Sequence, residues 1–363
     1  MATNPCVVLT GGGTAGHVTP NLALLPGLRE RGMRVEYVGS RGGIEASLCE
    51  TANVPFHAVA TGKLRRGLSL GNVLRNLADP FRTLLGVIQA VRILRDVGAD
   101  VVFSKGGFVG VPVVVAARLL RIPAIVHESD RSPGLANRIC FPLATRICVA
   151  YEETLGALAR RDVALYTGTP IRADLLRGDA DAARKRFGLD PARSVLLVFG
   201  GSQGARALNS VVRELVRGHQ LELQVIHVCG AGNLDPALDG AADYHQVEYL
   251  HADFGDALAC ADAVLARGGA NSLAELVALR KPTIVVPLPA VASRGDQVEN
   301  AERFAARGHG LVIPQDELDG ERLRTALSEL LARGDELRAA MERDAPGDAN
   351  ARIQALIEET AQR

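Results

Sequence analysis

The sequence predicts an α/β chain of two Rossmann-like, doubly wound domains whose parallel sheets face a cleft. Three observations predict it. Short apolar runs alternate with helical stretches. The alternation comes as two series, each opening with a strand and then glycines. And 363 residues are long for a single core.

The strand candidates, in order, are Val7–Leu9, Val35–Val38, Val101–Phe103, Ala124–Val126, Arg146–Val149, Val195–Phe199, Gln224–Cys229, Ala263–Leu265 and Thr283–Val286. Each is short and mostly apolar, which suits strands buried on both faces of a parallel sheet. The rhythm pauses between Tyr166 and Pro191, where Gly168, Pro170, the charged tract Arg177–Arg186 and Asp190-Pro191 interrupt it. The domains are therefore expected at 1–165 and 166–344, and a last helical segment, 345–363, can fold back onto the first.

Composition removes several classes. Apolar residues are 47% and charged residues 23%, a globular balance; 41 basic and 41 acidic residues cancel, so no global field favours nucleic acid. The six cysteines are scattered without a CxxC or a Cys/His cluster, as expected of buried thiols in a reducing compartment rather than of a metal centre. The N-terminus enters the first strand directly, with no basic-then-apolar leader. No apolar run approaches the roughly 20 residues that span a bilayer. A cytoplasmic protein with at most peripheral membrane contact is expected.

Three glycine loops carry the chemistry. Gly11-Gly12-Gly13-Thr14-Ala15-Gly16-His17 follows the first strand and precedes a helix expected around Pro20–Arg31. Glycines let backbone approach a ligand, and a helix start offers N–H groups to an anion. The spacing is also that of a dinucleotide fingerprint, which wants an acid ending the second strand. That strand ends Val38-Gly39-Ser40-Arg41, with Glu36 inside it, which disfavours a nicotinamide cofactor. Gly200-Gly201-Ser202-Gln203-Gly204 and Arg267-Gly268-Gly269-Ala270-Asn271-Ser272 follow two strands of the second series. Together they can clamp a diphosphate. Glu275, one turn into the following helix, can accept hydrogen bonds from ribose hydroxyls. Asp179-Ala180-Asp181 spells D-x-D but follows no strand, so it is read as chance.

Residues Lys63 to Arg95 form the clearest amphipathic stretch. Leu70, Val73, Leu74, Leu77, Phe81, Leu84, Leu85 and Ile88 recur at helical spacing beside Lys63, Arg65, Arg66, Arg75 and Arg82, and Pro80 is expected to break it into two helices. An apolar stripe with a basic flank suits an anionic membrane surface; an ordinary core-facing helix is the alternative.

The chain resembles the MurG family, the GT-B N-acetylglucosaminyltransferases of glycosyltransferase family 28 that convert lipid I to lipid II. The likeness is carried by GGGTAGHVTP at Gly11–Pro20, FSKGGFVGVP at Phe103–Pro112, HESDRSPGLANR at His127–Arg138, TGTPIR at Thr167–Arg172 and FGGSQGA at Phe199–Ala205. RGGANSLAEL at Arg267–Leu276 and SRGDQVENA at Ser293–Ala301 add to it. HESD and SRGDQ are like the Gram-positive branch. Gly268 departs from the more usual Ala or Ser, and glycine there is expected to loosen the loop.

The resemblance implies UDP-N-acetylglucosamine in the second domain. Ser202, Gln203 and the N–H groups of Ala270, Asn271 and Ser272 would hold its diphosphate, and Glu275 its ribose. Arg172 would lie by the nucleotide and the backbone at Leu250 by the uracil, with Asp296 and Gln297 on the sugar hydroxyls; a helix cap is the alternative for Asp296, surface solvation for Gln297. The acceptor, lipid I, would sit against Thr14, Ala15, Gly16, His17, Lys105, Gly106, Gly107, His127 and Asn137. Lys105 reads either as a phosphate partner or as a solvated strand-end lysine.

The implied reaction inverts the anomeric carbon in one metal-independent displacement, without a cofactor. A base must take the proton of the acceptor's C4 hydroxyl. His17 is the first candidate, with a loop-fixing bond to a backbone carbonyl as its structural alternative; Asp130 and Glu128 compete. The implied location is the cytoplasmic face of the membrane. The rivals are a UDP-GlcNAc 2-epimerase, a related transferase of secondary metabolism, and a non-catalytic nucleotide-sugar-binding subunit.

Overall fold

In the computed structural model the described residues are 4–62, 70–201, 205–251, 253–291, 295–344 and 347–362, without side-chain description for 70–78. Ser202 and Gln203, Lys63, Arg65 and Arg66, and the side chains of Leu70, Val73, Leu74, Arg75 and Leu77 lie outside that description. The chain divides into two compact units, Met1–Arg172 with Pro346–Arg363, and Ala173–Ala345.

Among the described residues the first unit has seven strands: β1 (Cys6–Thr10), β2 (Arg34–Ser40), β3 (Phe56–Val59), β4 (Val101–Ser104), β5 (Ala124–Glu128), β6 (Arg146–Val149) and β7 (Ala164–Tyr166). They pair in the order β3-β2-β1-β4-β5-β6-β7, all parallel. The unit runs past the boundary expected at 165 because β7 completes the sheet and the Thr167 N–H still bonds the Val149 carbonyl (3.1 Å). The second unit holds β8 (Val195–Phe199), β9 (Gln224–Val228), β10 (Tyr244–Val247), β11 (Ala263–Ala266), β12 (Thr283–Val285) and β13 (Gly310–Val312) in the order β10-β9-β8-β11-β12-β13, again all parallel.

The nine strands expected from apolar runs are all interior strands. The four not expected, β3, β7, β10 and β13, are the sheet edges. Edge strands have one neighbour and partial exposure, so nothing forces a continuous apolar run on them.

Apolar side chains from both faces of the first sheet form two cores; one joins Val8, Val102 and Val126 to Val87, Ala90 and Leu94, the other joins Val7, Leu9 and Tyr37 to Ile353 and Ile357. The last two come from the C-terminal helix Ala349–Ala361, which therefore belongs to the first unit. Each fully buried isoleucine contributes about 1.5–3 kcal/mol. Asn350 adds a two-way clamp, accepting from Ile171 N–H (2.9 Å) and donating to its carbonyl (2.8 Å).

Two helix expectations are corrected. Leu70–Asp96 is one helix containing Pro80, not two. Proline removes a single backbone donor, and the buried face Val87, Ala90 and Leu94, packed on the helix Gly110–Leu120, holds the segment together. The helix expected around Pro20–Arg31 is instead Ala15–Leu22 followed by Leu25–Glu30, so Gly16 and His17 lie in a first turn. Among the described residues no helix is long and apolar enough to cross a membrane.

Candidate functional site

In each sheet the strand order reverses once, between β1 and β4 in the first and between β8 and β11 in the second. Crevices at the carboxyl ends of strands at such switch points are where open α/β sheets take ligands. The loops after these four strands all carry glycines: Gly11–Gly16 after β1, Gly106-Gly107 after β4, Gly200-Gly201 after β8 and Gly268-Gly269 after β11.

In the first unit the two glycine loops interlock. Thr10 and Ser104 are paired neighbours, so the chain leaves β1 and β4 side by side. Gly107 has φ +74°, and a Cβ there would lie 2.6 Å from the Gly12 carbonyl. Only glycine permits that approach. His17 Nδ1 lies 3.1 Å from the Lys105 carbonyl. A carbonyl can only accept, so Nδ1 carries the proton and the neutral ring's lone pair is on Nε2. The loop-fixing bond and a basic Nε2 are thus compatible.

Lys105 is neither solvated nor turned to a surface. It is 1% exposed, and its Nζ donates to His127 Nδ1 (3.0 Å) and Ser129 Oγ (2.6 Å). Burial pushes the amine down to about 7, against the opposing charges of Glu128, Asp130 and Cys148. His127 is also buried and donates Nε2–H to the Gly168 carbonyl (2.8 Å); burial and the neighbouring Lys105 hold it well below the usual histidine range.

The three carboxyl and imidazole candidates separate by geometry. Glu128 is buried and accepts from Asp130 N–H (2.9 Å), Gly134 N–H (3.0 Å) and Asn137 Nδ2 (2.9 Å), so its carboxylate is committed to bracing its own loop. Asp130 is half-buried, as is His17. Asn137 also donates to the His127 carbonyl (3.1 Å), and its Oδ1 stands against Gly106. Thr14 is exposed and precedes the helix start, with Ala15 and Gly16 half-buried behind it.

In the second unit Phe199 pairs with Ala266, so the helices Arg206–Arg217 and Ala270–Ala278 start from adjacent strands. Neither start has a side-chain cap. Each such end carries about half an elementary positive charge. Asn271, Ser272 and Glu275 line the second helix, all half-buried. The helix Asp296–Ala306 is capped by Gly295, so Asp296 is not its N-cap; its carboxylate accepts from Gln297 N–H (3.0 Å). Gln297 is not merely solvated: its Oε1 accepts the Leu288 N–H (3.1 Å). Leu250 is half-buried beyond β10, beside the Tyr249–His251 ring stack. Arg172 closes the first unit rather than entering the second.

Gly268 does not loosen its loop. A Cβ there would lie 2.6 Å from the Gln297 carbonyl, so glycine lets the helix Asp296–Ala306 press against this turn. The D-x-D is consumed locally, since Asp179 caps the helix Ala180–Phe187 through Asp181 N–H (2.9 Å) and Ala182 N–H (3.2 Å).

Sequence reasoning missed Glu45, Ser129 and Tyr37. The fully buried Glu45 carboxylate accepts the Gly13 N–H (2.8 Å), and Tyr37 donates its hydroxyl hydrogen to the Gly11 carbonyl (2.7 Å). Glu45 lies in the first turn of the helix Glu45–Thr51, where an acid reads as ordinary dipole compensation.

Two doubly wound units in one chain, each with paired glycine loops at its switch point, are the architecture of the GT-B fold. The chain belongs to glycosyltransferase family 28: the family's N-terminal domain matches residues 7–149 and its C-terminal domain residues 195–358. It is 46% identical over 353 residues to the UDP-N-acetylglucosamine–N-acetylmuramyl-(pentapeptide) pyrophosphoryl-undecaprenol N-acetylglucosamine transferase of Lachnoclostridium phytofermentans, covering 97% of this chain and 98% of that protein. To the enzyme of the same name from Legionella pneumophila strain Lens it is 44% identical, over 99% and 98% of the two chains. Its structure is similar to that of Acinetobacter baumannii MurG, with a TM-score of 0.75, 26% identity and coverage of 98% and 99%.

Proposed function

We propose that this chain transfers N-acetylglucosamine from UDP-N-acetylglucosamine to the C4 hydroxyl of the N-acetylmuramyl-pentapeptide on pyrophosphoryl-undecaprenol, turning lipid I into lipid II. The observation that carries the reading is the placement of glycine loops at both switch points, in a chain that aligns end to end with relatives of that name.

The donor's diphosphate binds at the second unit. The starts of Arg206–Arg217 and Ala270–Ala278, with Ser202 and Gln203, offset the charge that grows on departing UDP. Glu275 holds the ribose, the Leu250 backbone the uracil, and Asp296 and Gln297 the sugar hydroxyls. The acceptor binds at the first unit, along Thr14–His17, Gly106-Gly107, His127 and Asn137. His17 takes the C4 hydroxyl proton on Nε2, since Nδ1–H is engaged with the Lys105 carbonyl. Attack from the face opposite UDP inverts the anomeric carbon in one step. Asp130 is the second candidate base.

The acceptor's lipid is reached from an anionic membrane surface on the cytoplasmic side. Phe81, Leu84, Leu85 and Ile88 stand exposed along one face of Leu70–Asp96, with Phe81 76% exposed and Arg82 beside it. Apolar side chains left in water on a basic-flanked helix suit peripheral binding.

The test is UDP release from UDP-N-acetylglucosamine with a panel of acceptors. Release that requires the lipid-linked muramyl acceptor is the expected result. UDP-N-acetylmannosamine formed without any acceptor would mean epimerisation, and turnover only with unrelated aglycones would mean another transferase.

A further inference from the structure

The walls of the acceptor side converge on one side chain that the mechanism above does not use. The Lys105 N–H bonds the Thr10 carbonyl (2.9 Å), its own carbonyl takes the His17 Nδ1–H (3.1 Å), and its Nζ reaches His127 and Ser129. His127 passes the chain on to the Gly168 carbonyl (2.8 Å). Segments after β1, β4, β5 and β7 are thus joined through a single fully buried lysine.

We propose that Lys105 is a positioning residue for the transfer reaction: its buried amine fixes His127 and Ser129 while its carbonyl fixes His17, so that base and acceptor loop keep one mutual geometry. This rests on the transferase reading. A buried lysine with no such task is expensive, because an ammonium loses its hydration and packing alone would be served by a long apolar side chain.

The groups facing the amine are His127, Glu128 and Asp130 from β5 and its loop, and Cys148 from β6; His17, on the glycine-loop side, bonds the Lys105 carbonyl. His127 Nδ1 and Ser129 Oγ match the two N–H bonds of a neutral amine, and protonation adds a third. Burial brings that protonation down to about pH 7. An ammonium there favours an anionic acceptor diphosphate, and an amine does not. Acceptor-side kcat/KM of the free enzyme should therefore decline as pH rises past 7.

The test measures kcat/KM for the lipid-linked acceptor and KM for UDP-N-acetylglucosamine across pH in the whole chain, K105M and S129A, with thermal midpoints beside them. Turnover by the unaltered chain is read first, and its absence would count against the transferase reading rather than against Lys105. In K105M, acceptor kcat/KM should fall about 10-fold or more while donor KM stays within about two-fold, and the decline above pH 7 should vanish. S129A removes one partner of the amine and keeps the lysine, so it should shift that decline with a smaller acceptor-specific loss; it carries the test alone if K105M does not fold. Acceptor kcat/KM within about two-fold of the unaltered chain, with the decline intact, overturns the proposal, as does a loss shared equally by donor and acceptor.

Discussion

At the scale of single residues, burial decides which ionisable groups can work. Glu128 competes for the role of base as a carboxylate beside the expected acceptor diphosphate, but three donors converge on it. His17 and Asp130 are both half-buried, in the segments that follow β1 and β5. The roles open to His17 and Glu128 were legible in their motifs; which of those roles each could take depended on partners far away in sequence. Ser129 and Glu45 were not legible at all, since a serine in a turn and an acid in a first helical turn are common for reasons unrelated to a site. In the second unit His227 lies buried between Tyr244 and Asn209, and burial pushes it down to about 3. Unfolded, it titrates near 6.5. The unfolded chain therefore binds the extra proton between those values, and native stability is full above about pH 6.5 and declines as pH falls toward 3. Thermal midpoints taken downward from about pH 7.5 should fall, and H227Q should show a shallower slope over the same range.

Elements show where sequence reading succeeds and where it stops. Interior strands such as Val195–Phe199 are buried on both faces and so are apolar without interruption. The edge strand Ala164–Tyr166 has an exposed leucine and two half-buried neighbours, and nothing in its composition sets it apart from a loop. Pro80 misled for a related reason: its local effect on a helix is real, but tertiary packing of Val87, Ala90 and Leu94 overrides it. Gly268 belongs to this scale because its effect is on where a whole helix sits. G268A would press a methyl group onto the Gln297 carbonyl and push the start of Asp296–Ala306 outward. KM for UDP-N-acetylglucosamine should rise about 3- to 30-fold, consistent with a loss of one or two hydrogen bonds, while acceptor KM is unchanged. Steady-state kinetics in each substrate checks this.

For the whole molecule, the same device is used twice. Each unit reverses its strand order once and sets glycine loops at the reversal, so each has, at its strand carboxyl ends, the crevice where open α/β sheets take ligands. The repetition was visible in the sequence as two series of strand-then-glycines. The boundary was not, because β7 looks like linker and is a strand of the sheet, and the chain stays with the first unit as far as Arg172. The proposed membrane contact lies on the first unit: replacing Phe81 and Leu85 by glutamate should move the chain off vesicles of anionic phospholipid in a sedimentation assay, since burial of each large apolar side chain contributes about 1.5–3 kcal/mol. Turnover of a short-chain, water-soluble acceptor should persist in the same variant.

The central assignment is that the second unit grips the sugar nucleotide and the first receives the lipid-borne alcohol. A crystal of the chain soaked with UDP-N-acetylglucosamine tests it most directly. Density for the diphosphate is expected at the starts of Arg206–Arg217 and Ala270–Ala278, with the ribose against Glu275. Nucleotide density along Gly11–Gly16 would contradict it.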